Sequence, residues 1–119
     1  MEIDIIEIND KNIAVLKSEG VMILETQDAL DLLGEASYLN SHKIIINEDQ
    51  VTPAFFELKS GIAGEIFQKF STYNVQLAII GDFSKYTSKS LKDFMFESNR
   101  YGRINFVGSF EEAKEKLSR

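Results

Sequence analysis

Apolar residues along this 119-residue chain alternate between strand-like runs and helix-like spacing. Near the start, EIDIIEI and IAVL are two apolar segments separated by the turn residues NDKN, a pattern typical of a β-hairpin. The short continuous apolar runs at 43–47, 75–81 and 104–108 indicate strands that are buried on both faces of a sheet. The segment VMIL, which follows a predicted turn at 17–20, either extends the second strand or forms a short strand of its own.

Four segments between and after these strands have the periodicity of helices. Thr26 is the predicted N-cap of the first helix, and Ser88 or Ser90 is the predicted N-cap of the third. Residues 109–112 have the spacing of a capping box at the start of the fourth. The predicted buried stripes are Leu30, Leu33 and Ala36 in the first helix, Ile62, Ile66, Phe70 and Tyr73 in the second, Leu91, Phe94, Met95 and Ser98 in the third, and Phe110, Ala113 and Leu117 in the fourth.

The order of these elements is β-β-α-β-α-β-α-β-α. A hairpin followed by alternating helices and apolar strands indicates an α/β protein with a mixed sheet. Its last three strands are expected to be parallel and joined by right-handed crossovers, with helices covering at least one face. The chain contains no linker and no repeat, so residues 1–119 are predicted to form a single domain.

The balance of charge argues against partners with a negative surface. The chain contains 19 acidic and 13 basic residues, for a formal net charge of −6, and the basic residues are scattered. Nucleic acids and anionic membranes are bound by clustered cations, so neither is an expected partner. No apolar run approaches the roughly 20 residues of a transmembrane helix. The amino-terminal segment lacks the basic start and long apolar run of a signal peptide, so we expect a cytoplasmic protein.

The chain contains no cysteine and a single histidine, His42. The lack of cysteine excludes disulfides, thiol nucleophiles and thiolate metal sites. His42 lies in the polar segment LNSHK, and we interpret it as a surface turn residue. We therefore predict no metal site and no cofactor, and we assign no catalytic residue.

The segment LKSGIAGEIFQKF at 58–70 contains a serine and two glycines at the start of an amphipathic helix. Together with the order of elements, it resembles the STAS domain, the fold of bacterial anti-anti-sigma factors and of sulfate-transporter tails. STAS domains carry an Asp-Ser-Ser-Gly or Asp-Ser-Thr-Gly motif at this helix start, followed by an aliphatic residue. Ser60, Gly61 and Ile62 fall on the end of that motif, whereas Leu58 and Lys59 occupy its first two positions. The resemblance implies that phosphorylation of the Ser60 hydroxyl releases a protein partner.

Three longer stretches, FFELKSGIAGEIFQKF, LAIIGDFS and SKSLKDFMFESNR, are similar to characteristic stretches of the domain-of-unknown-function 4180 family. This resemblance covers most of the chain. It implies a bacterial cytoplasmic protein with a STAS-like fold and implies no particular activity.

The first candidate site is the helix start at Ser60, with Gly61, Lys59 and Glu57 beside it. A hydroxyl at a helix N-terminus can be phosphorylated or can face an anion, because the free N–H groups there favour negative charge. The glycines would allow close approach of a partner or a ligand. The alternative is an ordinary N-cap serine, with the glycines fitting the helix against the sheet.

The second candidate site is the rim at the carboxyl ends of the parallel strands. Glu48 and Asp49 follow one strand, and Asp82 and Ser84 follow the next. Open α/β sheets usually bind ligands at this rim, so these residues are candidates for a small-molecule, nucleotide or anion site. Such a site predicts a pocket between Asp82, Ser84 and the connection at 48–60. The alternative is a set of solvated turn residues.

A third group of candidates lies in the segment KDFMFESNRYGR. Three consecutive apolar residues cannot all point to one face of a helix, so Phe96 is expected to point away from the core, with Tyr101 and Arg100 nearby. These residues either form a surface for a partner or a second copy of the chain, or Phe96 packs under the loop at 83–86.

Two hypotheses follow. The first is a non-enzymatic, STAS-like regulatory module that binds a protein partner, with a homodimer as one form of that interaction. The second is a small-molecule or anion-binding protein, with or without catalytic activity, that uses the carboxyl-end rim. The first requires an exposed apolar patch near Ser60, and the second requires convergent polar side chains.

Overall fold

Five strands form one mixed sheet in the computed structural model, which describes residues 1–119. Along the sheet the strands follow their order in the chain. The first two strands are antiparallel, and each later strand pairs in parallel with the strand before it. The α/β fold class is therefore confirmed. The parallel part of the sheet contains four strands, the second to the fifth, whereas the sequence predicted that only the last three would be parallel. The strands are β1 (Ile3–Ile8), β2 (Lys11–Leu16), β3 (Lys43–Asn47), β4 (Gln76–Ile80) and β5 (Ile104–Val107).

Four helices cover the two faces of the sheet unequally: α1 (Thr26–Tyr38), α2 (Ile62–Thr72), α3 (Lys89–Tyr101) and α4 (Phe110–Leu117). The helices α1, α2 and α3 each connect parallel strands that are neighbours in the sheet, and crossovers of one hand between such strands place all three helices on the same face. Buried side chains of these three helices form the larger core, whereas Ala113 and Leu117 of α4 form a smaller core on the opposite face. None of the four helices combines the length and the hydropathy of a transmembrane span.

The first helix begins one residue earlier than its capping pattern indicated. Its N-cap is Glu25, so the prediction that Thr26 occupies this position is wrong. The Asp28 carboxylate accepts hydrogen bonds from the backbone N–H groups of Leu24 and Glu25, at 2.9 and 3.1 Å. A carboxylate in the first turn thus satisfies donors that the helix itself leaves free.

The third and fourth helices begin at serines. The Ser88 hydroxyl accepts a hydrogen bond from the Leu91 N–H at 3.2 Å, so Ser88, and not Ser90, caps α3. The Ser109 hydroxyl accepts from the Glu112 N–H at 3.1 Å, as the capping-box spacing predicted.

The segment VMIL forms neither an extension of β2 nor a strand of its own. Ile23 makes an isolated parallel bridge with Val51. The N–H groups of Met22 and Ile23 donate to the Gln50 carbonyl at 2.8 and 3.0 Å, and the Thr52 N–H donates to the Ile23 carbonyl at 2.8 Å. This bridge attaches the segment before α1 to the connection between β3 and α2.

Candidate functional site

The start of α2 follows three short 3-10 turns at 48–50, 53–56 and 58–60. Ser60 is the last residue of the third turn and is exposed. Its hydroxyl donates to the Ala54 carbonyl at 2.6 Å and accepts from the Ile62 N–H at 3.3 Å. The N-cap of α2 is Gly61, so the alternative in which Ser60 is an ordinary N-cap serine is wrong. The Ser60 side chain instead connects the second turn, at 53–56, to Ile62, the first residue of α2, by hydrogen bonds.

Glycine occupies the two positions 61 and 64 for different structural reasons. Gly61 has a φ of +83°, in the left-handed region that favours glycine. Gly64 lies within the helix and is exposed, and a Cβ added there would meet no atom within 4 Å. Gly64 therefore faces open space, and packing of the helix against the sheet does not explain why a glycine occupies this position.

Gly64 lies in an apolar groove of about 360 Å³ between α2 and α3, which we name the α2–α3 groove. Its aromatic wall includes a contact between Phe67 and Tyr101, whose ring centroids are 5.7 Å apart. Gly64 lies in the first turn of α2, four residues after Ser60, and Ser60 itself does not line the groove. The lining residues are Gly64, Phe67, Phe94, Glu97, Ser98 and Tyr101.

The structure separates the three candidates of α3. Tyr101 is 69% exposed and lines the groove. Phe96 is 64% exposed, so the alternative in which it packs under the loop at 83–86 is wrong. The Arg100 guanidinium lies 6.0 Å from the Phe96 ring centroid and 3.3 Å from the Glu97 carboxylate. Phe96 and Arg100 thus form a small surface pair outside the groove.

Lys59 and Glu57 are both exposed on the turn that precedes α2. The Glu57 carbonyl accepts the Ser60 N–H at 2.9 Å. Neither side chain takes part in an ion pair within 4.0 Å. Their charges are therefore free to interact with a partner or with a group added at Ser60.

At the carboxyl-end rim, Asp82 and Ser84 are occupied with each other. The Asp82 carboxylate accepts from the Ser84 N–H at 3.1 Å and from its hydroxyl at 2.6 Å. The hydrogen bond from the Ser84 side chain, followed by that from its backbone, lowers the pKa of Asp82 below its usual range. Asp82 therefore acts as the N-cap of the short 3-10 turn at 83–85.

The Glu48 side chain, at the same rim, is largely buried and is bonded to two neighbouring side chains. Its side chain is 15% exposed and accepts a 2.5 Å hydrogen bond from the Tyr86 hydroxyl. The Lys85 ammonium lies 2.8 Å from the same carboxylate oxygen. Burial, followed by the bond to Glu48 and its charge, raises the pKa of Tyr86. Glu48 therefore links the end of β3 to the loop after β4.

Aromatic rings fill the space between this loop and the connection at 48–60. The Phe56 and Tyr86 rings are stacked with centroids 4.9 Å apart, and Phe83 lies 5.9 Å from Phe56. Phe83 also meets the edge of Phe106 at 5.3 Å. Packed aromatic side chains thus occupy the place where the ligand hypothesis expected a pocket beside Asp82 and Ser84.

A depression of about 660 Å³ does lie at the carboxyl-end rim, on the α4 face of the sheet. Its lining includes Asp49, one of the predicted rim residues, together with Asn47, Phe110 and the loop at 17–20. Gln50 lies beneath it with its polar atoms already bonded. Its amide donates to the carbonyls of Leu16 and Ser18 and accepts from the Asn47 N–H, at 3.0, 2.7 and 2.7 Å.

Neither the α2–α3 groove as a whole nor the loop at 17–20 was a predicted site. A signal for the groove was present, because Phe94, Glu97, Ser98 and Tyr101 have the spacing of one helix face. No group of three or more His, Cys, Asp or Glu side chains is placed to hold a metal ion.

Comparison with curated proteins and with solved structures finds no significant match. A family model does match: residues 8–117 fit the model described as "Domain of unknown function (DUF4180)". That match covers nearly the whole chain and includes the Ser60 turn, the α2–α3 groove and the carboxyl-end rim. The resemblance of the three longer stretches to the domain-of-unknown-function 4180 family is therefore confirmed, and the chain belongs to that family.

Proposed function

We propose that this chain is a non-enzymatic regulatory module that binds a protein partner in the α2–α3 groove. The observation that carries the proposal is the exposed apolar α2–α3 groove, which includes Gly64 in the first turn of the helix that follows Ser60. Exposed apolar surfaces mark interaction sites, and Glu97 and Ser98 are the polar residues that line this groove. The proposal keeps the STAS-like character, and with it the bacterial cytoplasmic setting, that the family resemblance implies.

The occupant that we propose is an amphipathic helix of the partner. A groove between two helices accepts the apolar face of a third, and the anchors of such a ligand recur at i, i+3 or i+4, and i+7. Gly64 allows close approach of the ligand, while Phe67 and Tyr101 supply aromatic contact area. The net charge of −6 favours a ligand whose polar face is basic.

Ser60 is the proposed point of control. A phosphate on its hydroxyl would remove the donor to Ala54 and add a charge of roughly −2. The Glu65 carboxylate lies beside Gly61, and Glu57 lies at the start of the same turn, so repulsion would displace the turn that leads into α2. Pairing with the free Lys59 would offset part of this repulsion. The added charge would also attract a basic ligand, but the attraction between exposed charges contributes only about 1 kcal/mol or less to binding. We therefore expect the loss of affinity caused by displacement of the turn to be the larger effect.

The test compares two exposed glycines inside helices, of which only Gly64 lines the groove, whereas Gly34 lines a different depression on α1. Gly64→Arg fills the groove, whereas Gly34→Arg places the same side chain on α1, where a Cβ also has no neighbour within 4 Å. Tagged wild type and both variants are used for affinity purification from the native host, and each captured protein is then titrated in purified form. We expect a partner that binds wild type and Gly34→Arg and is lost from Gly64→Arg.

Ser60→Glu added to this set tests the control step, with loss of the partner as the expected result. A partner that binds Gly64→Arg as tightly as wild type would refute the groove, as would the absence of any partner. If size-exclusion chromatography with light scattering shows a wild-type dimer that Gly64→Arg abolishes, the occupant is a second copy of the chain.

A second candidate function is small-molecule binding in the depression on the α4 face, because it lies at the rim where open α/β sheets bind ligands. It predicts ligands that raise the melting temperature of wild type but not of Asp49→Lys, which would fill the depression. A metabolite library that yields no such ligand would argue against it.

A further inference from the structure

Three cationic side chains lie together at the amino ends of the parallel strands, on the edge opposite the rim. Lys43 and Gln76 are register partners in β3 and β4, and Arg103 lies beside Gln76, immediately before β5. Adjacent strands are about 4.8 Å apart, so this row places Lys43 and Arg103 on either side of one glutamine. Lys11 is near enough to Lys43 for its charge to act on it. We name Lys11, Lys43 and Arg103 the amino-end cluster.

No carboxylate neutralises this cluster, although the chain carries a net charge of −6. The ion pairs of the structure involve Lys85, Lys89, Arg100, Lys114 and Arg119, and no member of the cluster has a carboxylate within 4.0 Å. Burial lowers the pKa of Lys43, and the charges of Lys11 and Arg103 lower it further. The cations therefore repel one another, and an anion placed between them would remove that repulsion.

Hydrogen bonding holds the cluster in position and leaves donors free. The Gln76 amide donates to the Gly102 carbonyl at 3.0 Å, which turns its oxygen toward Lys43 to accept from the ammonium at 2.5 Å. A lysine ammonium has three donors, and this bond uses one of them. The Nε of Arg103 is buried and has no acceptor. A buried donor without an acceptor is costly, so the guanidinium of Arg103 is not fully satisfied within the chain.

The side chains of Lys43, Gln76 and Arg103 line a depression of about 300 Å³, together with His42 and Tyr101. This volume is at the lower end of the range for small-molecule sites. The lining is almost entirely polar, in contrast to the α2–α3 groove. A small anion fits both the size and the charge of the depression, whereas a polynucleotide would meet the acidic remainder of the surface.

We propose that this depression is a binding site for a small anion bearing a phosphate or carboxylate group, held between Lys43 and Arg103. Arg103 supplies the planar donor set that suits such groups, and Lys43 supplies a point charge positioned by Gln76. His42 lies at the edge, where a larger ligand would contact it. The depression adjoins the α2–α3 groove at Tyr101, which lines both, but its cationic residues lie outside the groove, so its existence does not depend on the proposed function.

The test uses inorganic phosphate and citrate as probes, titrated into the full chain at constant ionic strength maintained with sodium chloride. Isothermal titration calorimetry measures affinity, and amide chemical shifts locate the site. Lys43→Gln and Arg103→Gln remove the proposed contacts. Lys92→Gln is the matched control, because Lys92 is exposed on α3 and also has no ion pair.

We expect saturable binding of at least one probe, with shifts at His42, Gly102 and Arg103. Affinity should fall about tenfold or more in Lys43→Gln and Arg103→Gln and stay unchanged in Lys92→Gln, since a charge-assisted hydrogen bond is lost only in the first two. Both variants should remain folded, because they relieve repulsion, and circular dichroism checks this. Binding of phosphate alone or citrate alone identifies the preferred group. The absence of saturable binding by either probe, or equal weakening in Lys92→Gln, would overturn the proposal.

Discussion

Replacement of Gly81 by alanine tests the contact that joins the ends of β3 and β4. A Cβ at this position would lie 2.6 Å from Oε1 and 2.8 Å from Cβ of Glu48, and 3.1 Å from Cζ of Phe83. The first two distances are well below van der Waals contact, so either Glu48 or the backbone at Gly81 must move. The φ of Gly81 is outside the left-handed region, so steric overlap and not backbone strain is what the substitution adds.

The expected cost follows from the environment of Glu48. Insertion of a methyl group into a packed site typically costs about 1–3 kcal/mol. Movement of Glu48 would also weaken its bonds to Tyr86 and Lys85, and a hydrogen bond to a charged group contributes about 1.5–3 kcal/mol. We expect Gly81→Ala to lower the free energy of unfolding by about 2–4 kcal/mol. For a chain of this length that corresponds to a melting temperature lower by about 8–16 °C.

Urea unfolding followed by circular dichroism measures this change, with Gly34→Ala as the matched control. Gly34 lies in α1 and has no neighbour within 4 Å of an added Cβ, so its replacement should raise the unfolding free energy by about 0.5–1 kcal/mol. In a Glu48→Ala background Gly81→Ala should cost less, because the 2.6 Å contact with Oε1 is gone while the contact with Cβ remains. Stability of Gly81→Ala within about 0.5 kcal/mol of wild type would refute this reasoning.

Three further predictions concern hydrogen bonds of the connections and of Tyr86. Because the pKa of Tyr86 is raised in the folded chain, the unfolded chain loses the phenol proton first as the pH rises. The contribution of Tyr86 to the free energy of unfolding is therefore intact below pH 10 and is lost as the pH rises above 10. Urea unfolding between about pH 10 and 11 should show a smaller decrease in the free energy of unfolding for Tyr86→Phe than for wild type. Ser60→Ala removes the bonds to Ala54 and Ile62 and should lower the unfolding free energy by about 1 kcal/mol, whereas an unchanged urea midpoint would show that the turn does not need them. Gln50→Leu leaves three backbone groups without their partner in a buried site and should cost about 2–4 kcal/mol by the same assay, and a loss below about 1 kcal/mol would mean that solvent replaces those bonds.

The fold was predictable because the strands and helices carry strong local patterns. KIIIN at 43–47 coincides with β3, since a strand buried on both faces has a continuous apolar run. The start of α1 was misplaced by one residue because Thr26 and Glu25 both precede the apolar stripe. Which of them caps the helix depends on where the Asp28 carboxylate points. The bridge between Ile23 and Val51 joins distant segments, and no local pattern encodes such a pairing.

The candidate sites were less predictable because each depends on distances between elements. Periodicity placed Phe67 and Phe94 on apolar stripes, but the gap between α2 and α3 follows from the spacing of whole helices on the sheet. Lys43 and Arg103 are far apart in the chain, and only the register of β3, β4 and β5 brings them together. Glu48 and Asp82 were placed correctly at the rim, yet sequence alone did not show that both are bound by neighbouring side chains.

The agreement between strand order in the sheet and strand order in the chain has a consequence for biosynthesis. No strand has to enter between two strands that are already paired. Successive parallel partners, such as Ile44 and Leu77, are about 30 positions apart, so each pairing closes a loop of modest entropy. The first three strands lie within residues 3–47, and they can pair as the nascent chain leaves the ribosome, before β4 and β5 have emerged from it.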